Sequence, residues 1–290
     1  MKKFGVIGHP ISHSLSPLLH GTAYSLLRMD CSYQAYDVPL ENLETSLNQF
    51  RQEGFTGLNV TLPLKQAVIP RLDRIDHEAE SIGAVNTLHF DGSILTGYNT
   101  DVIGVRRTLQ PFELEIAGRN VVILGAGGSA RSMIFALKNI PISRLTIISR
   151  TASKLEELYF HAKQLCPDVE ICSSTFNSES LSSTIEEAGL VMNATPVGMF
   201  PNITGSPITN PSVFHAEQII VDMIYIPLET ALLRLAKSKG ARTLSGLEVF
   251  LHQGASAFEL WNGISMPVEE IRPVILNALA KQMKEAEKRI

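Results

Sequence analysis

Four short segments of the chain combine hydroxyl, amide and charged side chains where predicted strands end or turns begin. They are residues 12–17, 59–65, 83–87 and 97–101. In open α/β sheets small ligands bind just beyond the strand ends, so these are candidate substrate-binding segments. Turn chemistry could explain any one segment, because Asn, Ser, Thr and Gly all favour turns. It explains the four together less well.

Within the first segment, Ser14 and Ser16 stand at the start of a predicted helix. Hydroxyls and the N–H groups of a helix start would bind a carboxylate well. An interpretation of equal weight on local grounds is that Ser16 is the helix N-cap, directly before Pro17. Lys65 ends the second segment, and a lone lysine taken in isolation is usually a solvated surface residue.

A glycine-rich turn indicates a second kind of chemistry. Gly125, Gly127 and Ala130 fit the pattern G-x-G-x-x-G/A, directly after an apolar strand at 121–124 and before a helix. The first glycine permits the tight turn, the second lets the backbone approach a pyrophosphate, and the small third residue lets the helix pack on the strand. The pattern predicts a dinucleotide whose phosphates face the helix N-terminus. The alternative is a tight turn that binds nothing.

The residues after the next predicted strand indicate which dinucleotide is bound. Units that bind NAD usually carry Asp or Glu there, which grips the ribose 2′-hydroxyl. This chain has Ser149, Arg150 and Thr151, with Lys154 one turn further on. Two cations and two hydroxyls suit a 2′-phosphate, and no carboxylate is present to repel it. We therefore predict NADP as the cofactor. The alternative is that Arg150 is an ordinary surface residue at a helix start.

Strand and helix patterns alternate along the chain, which predicts an α/β architecture with mainly parallel sheets covered by helices on both faces. In the first part, strands are predicted at 4–7, 32–38, 57–60 and 84–89 and helices at 17–27 and 40–52. A second unit begins near Arg119, with strands at 121–124, 145–148, 190–193, 218–223 and 242–244. We place the boundary between the units in a helix over 101–109. Pro273, in the terminal helical tract, should start or kink a helix.

The composition excludes several other classes of protein. A chain of 290 residues, with 44% hydrophobic residues, 19% charged residues and a net charge of −4, suits a globular protein of two domains. Nucleic acid is not an expected partner, because no basic run with interleaved aromatics occurs. Cys31, Cys166 and Cys172 form no CxxC pair and have no histidines at ligand spacing, so no metal site is predicted.

The location of the protein is also predicted from the sequence. The apolar run after Lys3 stops at His9, so no export signal follows it. No apolar stretch approaches the length that spans a bilayer. We expect a cytoplasmic protein with no membrane partner. The sequence is compatible with a monomer or a homodimer.

Taken together, the motifs resemble those of a known family, the shikimate dehydrogenases. The similarity covers nearly the whole chain, and so many motifs in one order are far more specific than any one of them. The matching segments are residues 14–17, 59–65, 83–87, 99–101, 125–130, 193–199, 222–227 and 246–263. The resemblance implies an N-terminal α/β substrate domain, residues 1–101, which is completed by C-terminal helices in 241–290. It implies a Rossmann-like NADP-binding domain at 102–240.

The resemblance also implies roles for individual residues. Lys65 and Asp101 would form the catalytic pair. The substrate carboxylate would be held by Ser14, Ser16 and Tyr225, and the ring hydroxyls by Asn59, Thr61, Asn86, Asp101 and Gln253. The NADP site would be lined by Gly125, Ala126, Gly127, Gly128, Ser129, Ser149, Arg150, Thr151, Lys154, Met223 and Gly246. One departure concerns Ser149, because the family commonly has Asn there, and its amide would contact the adenosine side of the cofactor.

The activity implied by the resemblance is the reversible NADPH-linked reduction of 3-dehydroshikimate to shikimate, in aromatic amino acid (chorismate) biosynthesis. Lys65 would be the general acid and base. A free lysine has a pKa of about 10.4 and is a poor base at neutral pH. Burial and the positive nicotinamide ring would lower this pKa, whereas ionised Asp101 nearby would raise it. We assign proton transfer to Lys65 and orientation of the hydroxyl to Asp101.

Two alternatives remain open at this point. The first is a quinate/shikimate dehydrogenase of mixed substrate and NAD/NADP specificity, because a hydroxyl-binding pocket discriminates weakly against one added hydroxyl. The second is a catalytically silent nucleotide-binding sensor, which fold alone never excludes. The presence of both Lys65 and Asp101 argues against the sensor.

Overall fold

The computed structural model describes residues 1–287, which form two compact units. The first unit consists of Met1–Gly104 and Leu251–Ala278, and the second of Val105–Phe250 together with residues 279–287. The sequence predicts boundaries at residues 101 and 241, with the whole end of the chain in the first domain. The observed units change at Gly104, Phe250 and Ala278, and which ligand each unit binds stays a prediction.

The first unit contains six strands, helices between them, and the first part of the helix that leads into the second unit. The elements are β1 (Lys2–Gly8), α1 (Ser16–Leu26), β2 (Cys31–Asp37), α2 (Leu43–Gln52), β3 (Phe55–Val60), α3 (Leu64–Ala67), β4 (Arg74–Ile75), α4 (His77–Ile82), β5 (Thr87–Asp91), β6 (Ile94–Tyr98) and α5 (Asp101–Leu109). Local signals explain several helix ends. Asp76 caps α4 by accepting a hydrogen bond from the backbone N–H of Glu78, and Gly83 ends the same helix in the left-handed conformation.

The six strands form one sheet in the order β2-β1-β3-β5-β6-β4. β1 is parallel to β2 and β3, and β4 is parallel to β6. β5 is antiparallel to both of its neighbours, β3 and β6. The sheet is therefore mainly parallel, as predicted, with one reversed strand. This reversal places the beginning of β5 at the same edge as the ends of β1, β3 and β6.

Both faces of this sheet are covered, which is typical of parallel sheets. On one face, Ile7 of β1 and Leu58 of β3 lie in a buried cluster with Leu47 of α2. On the other face, Phe4 of β1 stacks on Tyr24 of α1, with ring centroids 5.5 Å apart. Alternation of side chains along a strand explains why Phe4 and Ile7 face opposite ways.

The second unit continues the alternation of strands and helices. Its elements are α6 (Glu113–Ile116), β7 (Asn120–Leu124), α7 (Gly128–Leu137), β8 (Arg144–Ile148), α8 (Ala152–Leu165), β9 (Glu170–Ser174), α9 (Leu181–Glu186), β10 (Ala188–Asn193), β11 (Ile219–Asp222), α10 (Ala231–Lys237), β12 (Arg242–Leu244), α11 (Leu247–Asn262) and α12 (Val268–Glu287). The helix α11 begins in the second unit and continues into the first.

The sheet of the second unit has the order β12-β11-β10-β7-β8-β9, and every pairing is parallel. Counted from β7, this is the order 3-2-1-4-5-6 of a Rossmann sheet, which confirms the predicted fold class. All six residues of β10 are buried, as expected for a central strand. The strand order reverses between β7 and β10, and ligands of such sheets bind beyond the strand ends at that point.

The returning segment 251–278 packs closely on the first unit. Trp261 of α11 lies over Gly57 of β3, where an added Cβ would overlap the indole ring. The indole N–H donates to the carbonyl of Leu88, 2.9 Å away. On the same helix, Gly254 leaves room for the side chain of Leu19. This segment is therefore held in the first unit by shape as well as by apolar burial.

Some local predictions differ from the structure. The strand predicted at 84–89 is observed as β5, Thr87–Asp91, because 83–86 form the turn that precedes it. The sequence patterns do not predict the strands β4, β6 and β9. Pro273 lies inside α12 instead of starting a helix. Within residues 1–287, no helix combines the length and apolar character needed to cross a bilayer.

The buried side chain of His20, in α1, makes the stability of the protein depend on pH in the acid range. Its ring is fully buried and stacks on Tyr33, with centroids 4.3 Å apart and nearly parallel planes. Burial lowers the pKa of His20 from 6.5 to about 3. The unfolded chain therefore takes up this proton before the folded protein does, so the stability contributed by neutral His20 is lost as pH falls from about 6.5 towards 3.

We expect His20→Leu to flatten the dependence of the free energy of unfolding on pH in this window. Between the two pKa values only the unfolded state is protonated at His20. For each unit by which pH falls in this range, the free energy of unfolding of wild type should drop by about 1.4 kcal/mol, and that of the variant should not show this drop. Urea unfolding between pH 4 and 7 measures the slope. The control is His13→Leu, since His13 is exposed. Equal slopes for His20→Leu and wild type would contradict the assignment.

Candidate active site

All four polar segments predicted from the sequence meet at one edge of the first unit's sheet. Residues 12–17 follow β1, 59–65 span the end of β3 and the start of α3, and 97–101 span the end of β6 and the start of α5. Residues 83–87 lead into β5, which runs in the opposite direction. Because β5 is reversed, its beginning lies beside the ends of the other strands. The topology therefore brings together side chains that are far apart in sequence.

The centre of this edge is an ion pair between Lys65 and Asp101. Lys65 Nζ donates to Asp101 Oδ2 over 2.5 Å, and the two side chains are 14% and 6% exposed. Lys65 is held in place by its own backbone, because its carbonyl accepts the N–H of Val85 at 2.8 Å. Asp101 is the first residue of α5, where the N–H groups of the first turn favour a negative charge. The two predicted catalytic residues are therefore in direct contact.

Asn86 connects this ion pair to the neighbouring strands. Its Nδ2 donates to Asp101 Oδ1 at 2.8 Å and lies 3.4 Å from Gln253 Oε1. Its Oδ1 accepts the backbone N–H of Thr100 at 2.7 Å and the hydroxyl of Thr87 at 2.9 Å. Asn86 is 3% exposed, so these contacts are shielded from water. In this structure it orients Asp101, a role beyond the ligand contact that the resemblance implied.

A second amide, Asn59, lies beside this network at the end of β3. Its Oδ1 accepts the Tyr33 hydroxyl at 2.6 Å, and its Nδ2 lies 3.3 Å from Thr87 Oγ1. Tyr33 is itself stacked on His20. The orientation of Asn59 is thus determined by an aromatic stack on one side and by Thr87 on the other.

The remaining predicted substrate ligands of the first unit lie in the loops after β1 and β3. Ser14 Oγ accepts the backbone N–H of Ser16 at 3.3 Å. The N-cap position of α1 is Leu15, and it shows no side-chain capping bond, so the interpretation of Ser16 as a plain N-cap is wrong. Thr61 is half-buried, and its carbonyl accepts the N–H of Leu64 in the turn that leads to Lys65.

The glycine-rich turn of the second unit has the geometry that its sequence predicted. Gly125 has φ +109°, a left-handed conformation that favours glycine, and an added Cβ would lie 3.1 Å from the carbonyl carbon of Ala194. Gly127 precedes the first turn of α7, and nothing lies within 4 Å of the place where its Cβ would be. Open space beside the N–H groups of a helix start fits a pyrophosphate. Ala126 lies between the two glycines of the turn, and Gly128 and Ser129 begin α7.

The loop after β8 and the start of α8 carry the predicted 2′-phosphate ligands. Arg150 and Thr151 lie in the loop and Lys154 in the first turn of α8, and all three are exposed. Ser149 differs from its neighbours, because it is buried and its Oγ lies 3.4 Å from the backbone N–H of Thr151. Its hydroxyl therefore shapes the loop. These residues fit a phosphate, with two cations available at the start of α8.

The loop after β11 carries Met223 and Tyr225, the remaining predicted residues of the second unit. The ring of Tyr225 stacks on Phe250, with centroids 4.4 Å apart. Gly246 passes so close to this loop that an added Cβ would overlap the Met223 carbonyl, and its N–H donates to Ile224. Gly246 is therefore required by packing, whether or not it also contacts a cofactor.

The sequence did not predict a role for three polar residues that position the amides of Asn59 and Asn86, which are Tyr33, Thr87 and Thr100. Thr87 and Thr100 lie inside two of the predicted polar segments, whereas nothing in the sequence pairs Tyr33 with Asn59. Within residues 1–287, no group of three His, Cys, Asp or Glu side chains is arranged to hold a metal ion.

Comparison with known proteins identifies the family. Residues 6–88 match the model of the shikimate dehydrogenase substrate binding domain, and residues 246–276 match that of the shikimate 5′-dehydrogenase C-terminal domain. A shikimate dehydrogenase (NADP⁺) from Symbiobacterium thermophilum is 40% identical over 278 residues, which are 96% of this chain and 95% of the relative. The chain belongs to the shikimate dehydrogenase family. The resemblance inferred from the motifs is thus confirmed.

Solved structures of this family have the same fold. Shikimate 5-dehydrogenase from Thermus thermophilus, in complex with NADP(H) and shikimate, matches with a TM-score of 0.83 and 35% identity, over 96% of this chain and 100% of that one. Quinate dehydrogenase from Corynebacterium glutamicum, in complex with NAD, matches with a TM-score of 0.84 and 29% identity, over 95% and 99% of the two chains. The architecture of a shikimate dehydrogenase is therefore confirmed, and the roles of single residues stay predictions.

The buried contacts of Asn86 lead to a prediction about stability. Asn86→Ala removes the partner of Asp101 Oδ1 and of the Thr100 N–H, and both groups are buried. We expect the free energy of unfolding to fall by roughly 2–4 kcal/mol, the cost of leaving buried polar groups unpaired. Chemical denaturation measures the change. Asn48→Ala is the matched control, since Asn48 is exposed, and a similar small loss in both variants would contradict the role assigned to Asn86.

Proposed function

We propose that this chain catalyses the reversible reduction of 3-dehydroshikimate to shikimate, with NADPH as the hydride donor, in the biosynthesis of aromatic amino acids. The observation that supports the proposal is the largely buried Lys65–Asp101 pair, which Asn86 orients at the edge where substrates of α/β sheets bind. Membership of the shikimate dehydrogenase family supports the same reaction.

In the proposed reaction, bound NADPH supplies a hydride to the carbonyl carbon of the substrate. Lys65 Nζ delivers the proton to the carbonyl oxygen, and in the reverse direction it removes the proton from the hydroxyl. An ammonium group has three N–H donors, so Lys65 can remain bonded to Asp101 while it donates to the substrate. After the transfer the neutral amine takes up a proton from solvent, since 14% of its side chain is exposed.

Asp101 orients both the lysine and the substrate. One oxygen accepts from Lys65 and the other from Asn86, and each carboxylate oxygen has a further lone pair for a substrate hydroxyl. Asn59, Thr61, Asn86 and Gln253 would hold the ring hydroxyls, and Ser14, Ser16 and Tyr225 the carboxylate. The contacts of Asn59 and Asn86 support this, because both amides are held rigidly before substrate arrives.

A second candidate is mixed quinate/shikimate activity with relaxed NAD/NADP preference. It is favoured by the match to a quinate dehydrogenase with NAD, whose TM-score of 0.84 is close to the 0.83 of the Thermus shikimate enzyme. It is opposed by the two cations after β8, which suit NADP. Measuring kcat/KM for both acids with both cofactors separates the two candidates.

The free cysteines Cys31, Cys166 and Cys172 support our further proposal that the protein works in the reducing cytoplasm. The small molecules named above are its proposed partners, and a monomer and a homodimer are both compatible with this function.

The proposal is tested by following NADPH absorbance with 3-dehydroshikimate, for wild type and for Lys65→Ala. Wild type should turn over, and Lys65→Ala should lower kcat by roughly 10²–10⁴ with a much smaller change in KM, because proton transfer is lost while binding remains. Lys163→Ala, on an exposed face of α8, is the control. Near-normal turnover of Lys65→Ala would remove Lys65 from this role, and an inactive wild type would refute the function.

Cofactor preference is tested in the double variant Arg150→Ala with Lys154→Ala. Loss of two charged contacts to the 2′-phosphate should lower kcat/KM for NADPH relative to NADH by roughly 10–100-fold. The same Lys163→Ala variant should keep the wild-type ratio. An unchanged ratio in the double variant would show that these cations do not select the phosphate.

A further inference from the structure

The second unit contains a buried polar cluster that the proposed mechanism does not use. It consists of Asn193 at the end of β10, Asp222 at the end of β11, and Thr230, which precedes α10. All three residues are 0% exposed. A carboxylate and an amide cost free energy when they are removed from water, unless their hydrogen bonds are fully replaced. A cluster of this kind at two strand ends therefore needs a specific reason.

Within the cluster, Asp222 accepts three hydrogen bonds. Its Oδ1 accepts from Asn193 Nδ2 at 3.0 Å and from the backbone N–H of Ile224 at 3.1 Å. Its Oδ2 accepts the hydroxyl of Thr230 at 2.7 Å. The same hydroxyl caps α10 by accepting the N–H of Leu233 at 3.3 Å. Because three donors point at two oxygens, a carboxylate satisfies this site better than any neutral side chain of the same shape.

The cluster holds the loops after β10 and β11, and β10 adjoins the point where the strand order of the sheet reverses. Asn193 Oδ1 accepts the backbone N–H and the hydroxyl of Thr195, at 2.9 and 2.7 Å, and so shapes the loop after β10. The carbonyl of Asn193 accepts the N–H of Met223, which starts the loop after β11. Asp222 therefore joins the two loops through Asn193 on one side and Ile224 on the other.

Both loops adjoin residues predicted to bind the cofactor. Ala194 is the backbone that packs against Gly125 of the glycine-rich turn, where an added Cβ would lie 3.1 Å away. The second loop contains Met223, and Gly246 donates its N–H to Ile224 within it. The glycine-rich turn, the loop after β10 and the loop after β11 are thus connected through a single buried carboxylate and its partners.

We propose that Asp222 is a positioning residue for the dinucleotide, which holds the loops after β10 and β11 in the conformation that binds NADPH. The inference rests on the proposed function. When the hydrogen bonds of Asp222 are removed, fewer molecules have both loops in the binding conformation. The apparent dissociation constant for NADPH then rises in proportion. Asp222 itself does not touch the cofactor, because its side chain is fully enclosed by its partners.

The charge state of Asp222 agrees with this geometry. Burial raises its pKa from 3.8 to about 6, while the hydrogen bonds from Thr230, Ile224 and Asn193 act in the opposite direction. The carboxyl group is therefore ionised at neutral pH and accepts all three bonds. In Asp222→Asn, an amide can keep the two bonds to its oxygen, but its NH₂ then faces the hydroxyl that had been the third donor.

The experiment compares NADPH binding in wild type, Asp222→Asn, Thr230→Val and Thr230→Ser, by fluorescence titration of the whole chain. Thr230→Val keeps the shape of threonine and removes the hydroxyl, whereas Thr230→Ser keeps the hydroxyl. We expect the dissociation constant for NADPH to rise about tenfold in Asp222→Asn and Thr230→Val, the ratio for one lost hydrogen bond to a charged group. Thr230→Ser should stay within about twofold of wild type.

A control for stability alone is Val191→Ala, in the buried centre of β10. It should lower the melting temperature through a cavity and leave NADPH binding unchanged, because its apolar side chain forms none of the hydrogen bonds that join the two loops. If the variants of Asp222 and Thr230 lower the melting temperature but bind NADPH like wild type, the cluster is structural only and the inference is wrong. The inference is equally wrong if Val191→Ala weakens NADPH binding to the same extent as those variants.

Failure of the proposed function gives a different result. If wild type itself does not bind NADPH, the dinucleotide function fails and the inference falls with it. If wild type binds NADPH and turns over 3-dehydroshikimate while the variants are unaffected, only the role of Asp222 is refuted. If Asp222→Asn does not fold, the variants Thr230→Val and Thr230→Ser test the hydrogen bond between Thr230 and Asp222 by changing Thr230 instead.

Discussion

The largely buried ion pair between Lys65 and Asp101 is the constraint around which the first unit is arranged. Two charges with little solvent exposure are stable only if their attraction and hydrogen bonds replace the lost water. Asn86 supplies the missing donor to Asp101, the start of α5 supplies a favourable field, and the backbone of Val85 holds Lys65. Lys65 lies in α3, Asp101 begins α5, and Val85 and Asn86 lie together in the turn before β5, so the sheet topology must be correct before the pair can form.

The reversed strand β5 is the part of that topology that matters most for the site. Its beginning delivers Asn86 and Thr87 to the edge where β1, β3 and β6 end. If all strands of the sheet were parallel, only the carboxyl ends of strands would lie at this edge. One antiparallel strand therefore adds two buried polar side chains to a place that already holds the loops after three strands.

The two units use buried carboxylates in different ways. Asp101 is paired with a cation and lies beside residues that would contact substrate, whereas Asp222 is surrounded by neutral donors and ties two loops together. The proposed dinucleotide-binding surface shows the complementary arrangement. The groups proposed to bind its phosphates are the N–H groups at the start of α7 and the exposed cations Arg150 and Lys154. The buried hydrogen bonds of Asp222 thus hold loops of the second unit in place, whereas the cations proposed to bind phosphate are exposed to solvent.

Local patterns in the chain were sufficient to predict the class of fold, the glycine-rich turn, the cationic loop after β8 and the family. These features depend on residues close together in the chain, where periodicity and turn chemistry act directly. The same patterns did not reveal β4, β6 and β9, the reversal of β5, or the division of the chain's end between the units, because strand pairing depends on partners distant in sequence. The contacts of Asn86 with Asp101 and of Asp222 with Thr230 likewise required the folded structure. Hydrogen bonds between side chains are decided by orientation and burial, and no local pattern encodes either one.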